Sequence, residues 1–335
     1  MYEIVVTVLG VAVKILGQTE LRSKDGRRSE NHPHLSMSLL YLREVLLYLT
    51  ARQIKFYRLA DDLAPYLTHP HMPQFHRQID ESEALLSEVG ELAHTQGFRL
   101  TMHLPIHTTL STPDDTYAER AATEIIARAH LMDAMQIGPE GTLVLHVGGA
   151  YDNTAAALQR FATRFERLPR YARERIAVEP DETCFDLVSL TPLHQMTGVA
   201  LIFDSLHFQL NNPHGLTLAE GLGVALATWP SGVRPKVHFS TQRTEAYLQP
   251  GRAHASQQII PPRHGQHADF INPFEFIAFL RAARGLPPFD IMLEAKASDL
   301  ALLRLRDDLR RFSDRWCLEL AMSDHHDNDI RPVTR

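Results

Sequence analysis

One alternation constrains this chain more than any other feature: short apolar, β-rich runs, each followed by a longer stretch with apolar residues recurring at i, i+3 and i+4. The short runs fall at 4–13, 54–58, 98–102, 142–146, 175–179, 199–204, 235–239 and 289–294. The helical patterns lie near 37–52, 76–96, 115–136, 153–167, 185–196, 216–228, 273–284 and 298–312. The Ser-Thr-Pro-Asp-Asp run at 111–115 and the pair Asn272-Pro273 each put a capping side chain beside a helix start. Eight β/α alternations in succession favour a closed ring of parallel strands over an open doubly wound sheet. The predicted fold is α/β, a (β/α)8 TIM barrel in a single domain over 1–317, with a polar tail at 318–335.

A length of 335 residues suits such a barrel as one unit, and 44% hydrophobic residues suffice to fill its core. The apolar opening lacks a basic n-region and a small-residue cleavage site, so its Val-rich run reads as the first strand and not as a signal peptide. No run reaches the roughly 18 apolar residues of a membrane span, so no membrane partner is expected. Cys184 and Cys317, both in helical-looking stretches, offer neither a disulfide framework nor a zinc motif. That usage fits a reducing cytoplasm, and a monomer is expected. The formal charge of −6 argues against a generally basic nucleic-acid coat. The Arg-bearing stretches at 21–28 and 167–175 read as solvated faces, and Trp229 and Trp316 as packing residues. Segments 16–36 and 240–272 are long enough to be functional loops.

Histidine is in excess, at 19 residues. Active sites of β/α barrels lie at the carboxyl ends of the strands. The third to eighth runs finish, or are followed at once, by His103, His146, Glu179, Asp204 with His207, His238 and Glu294. His69 follows the second run, and His267 sits in the loop after the seventh. A single strand-end His is more often a hydrogen-bonded structural residue, but a series on successive strands is not explained that way. Glu179, Asp204 and Glu294 in one barrel mouth would raise each other's pKa unless divalent cations lay between them. Mixed imidazole and carboxylate donors suit Mn²⁺, Zn²⁺ or Fe²⁺ better than Ca²⁺, and their number suits two or three ions. Such clusters activate water and clamp the attacking and leaving oxygens of a phosphoryl displacement. Glu179, on a strand opposite several His-bearing ones, is placed to bridge two cations. Gly148-Gly149 lacks the spacing of a nucleotide-binding turn, so close backbone approach after a strand is its simpler reading.

At these residues the sequence resembles the UV damage endonucleases, metal-dependent DNA repair enzymes built on a β/α barrel. The resemblance covers 40–300 and runs through Phe56-Tyr57-Arg58-Leu59, Thr68-His69-Pro70, Met102-His103 and the stretch Leu143 to Tyr151. It continues through Glu179 with Asp181-Glu182, Phe203-Asp204 with His207, Pro235-Lys236-Val237-His238, His267-Ala268-Asp269 and Met292 to Lys296. It implies metal ligands at His103, His146, Glu179, Asp204, His207, His238, His267 and Glu294, and catalytic roles for Glu179, His69 and Lys236. It further implies that double-stranded DNA is incised at lesions by metal-activated water, with manganese the expected metal and zinc or iron the alternatives.

The chain departs from the family at its damage reader. After the third-strand His the family runs Pro-Gly-Gln or Pro-Glu-Gln and then an aromatic residue, a pair that probes the duplex; here the chain reads Leu104-Pro105-Ile106-His107. The family's Leu-Gly-Tyr on the first strand is Leu9-Gly10-Val11, and its Glu-Asn-Asp is Glu179-Pro180-Asp181. An intact metal site with altered probing residues Ile106, His107 and Val11 is expected, with Tyr151 or Tyr247 as stand-ins. A second reading keeps the metals but assigns a small nucleotide or sugar phosphate to a hydrolase or isomerase. A third, a silent nucleic-acid-binding relative, leaves the charged ligands without purpose.

Overall fold

The computed structural model describes residues 8–151, 153–249 and 258–316. Its strands are β1 (Leu9–Ala12), β2 (Phe56–Leu59), β3 (Arg99–His103), β4 (Leu143–His146), β5 (Ile176–Glu179), β6 (Ala200–Leu201), β7 (Phe203–Asp204), β8 (Lys236–Phe239), β9 (Tyr247–Gln249), β10 (Gln258–Ile260) and β11 (Asp290–Leu293). Nine of them form one sheet in the order β6-β5-β4-β3-β2-β1-β11-β8-β7, and each neighbouring pair is parallel. The two ends of that order, β6 and β7, are halves of a single extended stretch interrupted at Ile202. The first half pairs with β5 and the second with β8, so the ring closes as an eight-stranded barrel with helices outside.

Strand parity explains what faces where, because successive side chains point to opposite faces. Counting back from His146, Glu179 and Asp204, the inward residues Val144, Ala177, Ile202 and Ala200 form a small apolar cluster separate from the main core. Below it, Arg99 reaches Asp290 at 2.7 Å, closing the floor of the barrel with an ion pair. Gly10 also faces inward: a Cβ there would stand 2.6 Å from the Phe56 ring and 3.0 Å from the Met292 side chain. The outward residues of the strands join the large core beneath the helices, where each fully buried aliphatic or aromatic side chain contributes roughly 1.5–3 kcal/mol.

All eight strand positions read from the sequence carry barrel strands. The helix starts also hold: the Asp114 side chain accepts from Tyr117 N, and that of Asn272 from Phe274 N ahead of helix Pro273–Ala282. Four details differ. The helix expected over 185–196 is confined to Thr191–Thr197, since Asp186 Oδ1 draws Val188 N and Ser189 N into a turn and Pro192 disfavours helix before it. The pattern at 76–96 breaks at Ser82 into Gln78–Glu81 and Glu83–Thr95. Segment 240–272, expected to be irregular, contains the antiparallel pair β9 and β10. Cys184 lies in an exposed loop and not in a helix, while Cys317 and the tail at 318–335 fall outside the described residues.

Candidate metal centre

Glu179 ends β5 at the barrel mouth and is 1% exposed. One of its oxygens stands 2.5 Å from His238 Nδ1, and the other is 2.5 Å from His103 Nε2 and 3.5 Å from His146 Nε2. His238 lies 3.4 Å from Glu294 Oε1 and 4.0 Å from Asp204 Oδ2. His267 approaches the other Glu294 oxygen at 3.8 Å, and the His207 ring stands 5.8 Å from that of His146. The eight candidate ligands are thus brought into one continuous cluster. Donor atoms of His103, Glu179 and His238, and of Glu179, Asp204, His238 and Glu294, each lie within 4.8 Å of one another, so two overlapping sets could hold metal.

Backbone groups around the cluster prepare it for cations. His103 Nδ1 donates to the Leu104 carbonyl at 2.9 Å and His146 Nδ1 to the Glu179 carbonyl at 3.2 Å. A neutral imidazole so engaged presents only a lone pair at Nε2, here aimed at a carboxylate, and that arrangement is repulsive until a proton or a metal cation lies between them. The Asp204 carboxylate divides its roles: Oδ1 caps helix Ser205–Leu210, accepting from Leu206 N at 2.7 Å and His207 N at 2.8 Å. Its Oδ2 is buried without a hydrogen-bond partner, and so is His238 Nε2. Buried polar atoms left without partners are costly, and the Asp204 orphan, which faces His238 Nδ1 at 4.0 Å, fits a metal ligand.

The electrostatics show the same frustration. Burial pushes Asp204 up to about 7; His207 opposes this, while Glu179 and Glu294 reinforce it. Burial also lowers His238 to about 4 against the pull of both glutamates, leaving a neutral ring at pH 7. Burial would raise Glu179 and Glu294 too, but it is outweighed, for Glu179 by His238 and His103 and for Glu294 by Arg58 and His238, so both are held below the usual carboxylate range. His267 is lowered by burial. Burial would lower His207 as well, but Asp204 and three glutamates raise it.

Lys236 sits one inward position below His238, fully buried, with Nζ 3.4 Å from Thr101 Oγ1. Burial first, then the cations Arg58 and Arg99, hold its pKa well below the ordinary lysine value. His69 stays apart: its contacts are with Tyr66 and His71, whose ring centroids each lie 6.1 Å from its own.

Comparison with known proteins adds to this geometry. The family described as UV-endonuclease UvdE matches residues 23–319. The chain belongs to the UvdE family. It is 29% identical over 273 residues to the UV DNA damage endonuclease of Bacillus pumilus strain SAFR-032, covering 81% of this chain and 80% of that protein. It is 30% identical over 263 residues to the protein of that name from Bacillus mycoides strain KBAB4, covering 78% and 77%. Among solved structures, SacUVDE superposes with a TM-score of 0.77 at 24% identity, over 92% of this chain and 99% of that one. D-psicose 3-epimerase from Clostridium cellulolyticum H10 shares the barrel alone, with a TM-score of 0.55 at 11% identity and coverage of 92% and 99%.

Within this UvdE-family chain, two site residues escaped the sequence reading. Arg58, inward at the end of β2, forms an ion pair with Glu294. Glu182 faces His207 Nδ1 at 3.1 Å, presented by a turn in which Asp181 Oδ1 accepts from Thr183 N at 2.8 Å. Their only signal was position next to a strand end, in motifs already noted for other residues.

One expectation is corrected. Val11 is fully buried in the core under the helices, because parity turns it outward from the barrel where Gly10 turns inward, so it reaches no ligand. Ile106 and His107 are placed differently. They line a cavity of about 540 Å³ together with His146, Tyr117, Tyr151 and Glu182, directly beside the cluster. Gly148 lets the chain pass there, at φ 97° with Thr109 Oγ1 2.5 Å from where a Cβ would be. That is the close approach expected of the Gly148-Gly149 pair.

Proposed function

We propose that this chain is a metal-dependent endonuclease that incises double-stranded DNA at lesions, with two or three divalent ions, manganese foremost, held by His103, His146, Glu179, Asp204, His207, His238, His267 and Glu294. The observation that carries the reading is Glu179: its carboxylate belongs to both overlapping donor sets, with each oxygen 2.5 Å from a different imidazole, which suits a carboxylate shared between ions. When bound, divalent metal lowers the pKa of water and neutralises charge on the phosphate oxygens.

The protein's own residues supply the rest. Glu179 joins the two donor sets, and Arg58 holds Glu294 ionised and oriented. Lys236, its pKa held well below the ordinary lysine value by burial, lies beneath the carboxylates as a group able to exchange a proton or balance charge. His69, on the rim beside Tyr66, meets the nucleotide and not the metal. The cavity at Ile106, Tyr117 and Tyr151 receives nucleotide adjoining the cut. The enzyme acts as a monomer in the cytoplasm, and among the described residues no helix is long and apolar enough to cross a membrane.

The test compares strand incision of UV-irradiated duplex with phosphate release from nucleotides and sugar phosphates, each with Mn²⁺. Incision without phosphate release is the expected result; the reverse assigns the cluster to a small metabolite.

A further inference from the structure

The loop that follows β1 concentrates positive charge in a chain of formal charge −6: residues 14–28 hold Lys14, Arg22, Lys24, Arg27 and Arg28 against Glu20 and Asp25. Lys14, Arg22, Lys24 and Arg27 line a single cavity of about 600 Å³, backed by Leu16 and Leu21. The sequence alone makes this run a solvated face. The structure shows a fixed arrangement instead.

Two buried carboxylates hold the loop from below. Asp299, 0% exposed, accepts from Leu16 N at 2.7 Å, Gly17 N at 3.0 Å and Tyr48 Oη at 2.8 Å. Asp25 accepts from Arg27 Nη2 at 2.6 Å and His34 N at 3.0 Å. At the start of the loop Val13 adopts φ 51°, a conformation that a β-branched residue rarely takes. It is pinned there by Tyr57 Oη, which donates to its carbonyl at 2.6 Å, while Ser298 Oγ donates to the Lys14 carbonyl at 2.5 Å. Lys24 is paired with Asp62, and Arg22 stacks over the Tyr41 ring at 5.7 Å. Lys14 has no carboxylate partner among the described residues.

The loop leaves the carboxyl end of β1, where Ala12 is in register with Arg58, the residue paired with Glu294 in the cluster. A duplex cut at that cluster continues beyond the mouth, and the cationic loop on the rim of β1 offers its backbone a path of complementary charge. We propose that the 14–28 loop is a preorganised clamp for the duplex phosphates flanking the cut, with Lys14 and Arg22 making the contacts. This rests on the endonuclease reading above. A loop backbone already fixed in place loses little freedom on binding, and phosphate contacts position a duplex without reading its sequence.

Equilibrium binding of the whole metal-loaded protein to a short UV-irradiated duplex and to its undamaged counterpart, each at several salt concentrations, tests the clamp. Lys14→Ala and Arg22→Ala should weaken binding to both duplexes by the same factor, about three- to tenfold per cation, and make the log–log salt slope shallower by about one for each. Arg170→Ala, on the helix preceding β5 at the opposite end of the barrel, should leave the slope unchanged and serves as control. A double variant that folds normally, by its melting temperature, and keeps the wild-type slope overturns the clamp alone. Wild-type protein that binds no duplex at any salt overturns the endonuclease reading and the clamp with it.

Discussion

His103 Nε2 lies 2.5 Å from Glu179 Oε2 while His103 Nδ1 is committed to a backbone carbonyl. With that nitrogen occupied, the contact is favourable only when a proton or a metal cation lies between Nε2 and the carboxylate. Replacing Glu179 with Gln keeps the shape but removes the charge and leaves a single acceptor oxygen, which ends any bridging. Glu179→Gln should lose bound metal and incision together while remaining folded. Activity within about tenfold of wild type, about 1.4 kcal/mol of barrier, would contradict a bridging role.

Metal content follows from the same frustration. Elemental analysis of purified protein should find more than one transition-metal ion per chain, since the two donor sets share Glu179 and His238 but differ in the rest. Chelation should lower the melting temperature, because the carboxylates then face one another unscreened. Metal-free protein with unchanged thermal stability would count against the cluster.

Asp204 gives a pH dependence with a definite sign. Its folded pKa is raised, from an ordinary 3.8 to about 7, so the metal-free fold loses stability from this group as pH climbs through that interval. Asn retains the helix cap but cannot ionise. Metal-free Asp204→Asn should be more stable than wild type above pH 7, with the advantage vanishing below pH 4. Thermal melts of both proteins across that range check it. Loading the wild type with Mn²⁺ near pH 6 should also release protons, measurable by titration in weak buffer.

Asp25 acts in the opposite direction. Its hydrogen bonds to Arg27 lead the causes that lower its pKa from 3.8 to about 2, against the opposing effect of burial. Its stabilising contribution is complete above pH 4 and is lost as pH falls toward 2. Asp25→Asn should cost on the order of 1–2 kcal/mol at pH 7 by denaturant unfolding, and the difference from wild type should shrink below pH 3. A constant difference across that range would show that the charge of Asp25 is not what anchors the loop.

The proposed function assigns lesion choice to the cavity beside the cluster. Ile106 there is 72% exposed and Tyr151 44% exposed, whereas Val11 is out of reach. Stacking on an aromatic side chain is worth about 1–3 kcal/mol per base, and an aliphatic Ile106 forgoes it. Rates on duplexes carrying one cyclobutane dimer, one abasic site or no lesion should differ by less than about a hundredfold. Strong preference for the dimer would mean that Tyr151 or Tyr117 supplies the stacking, and alanine at whichever of the two does so would then abolish it.

The barrel was legible because buried parallel strands leave dense apolar runs and their helices a clear period. The residues of the cluster were legible for a related reason: a charged or imidazole side chain where such a run ends has few structural explanations. Glu182 and Arg58 were not, since a partner on an adjacent loop or strand leaves no periodic mark. Val11 was misassigned because motif matching ignores strand parity, which sends residues 10 and 11 to opposite faces. The shortened helix at Thr191–Thr197 and the pair β9 and β10 depend on local turn hydrogen bonds that apolar periodicity does not encode.

The central claim is that this cluster, charged with divalent metal, cuts damaged DNA. Metal-free protein titrated with Mn²⁺ while incision of a dimer-bearing duplex is followed tests it most directly. The rate should be negligible without metal, rise to saturation only after more than one ion per chain has bound, and collapse again on chelation. Incision that proceeds undiminished in excess chelator would contradict the account.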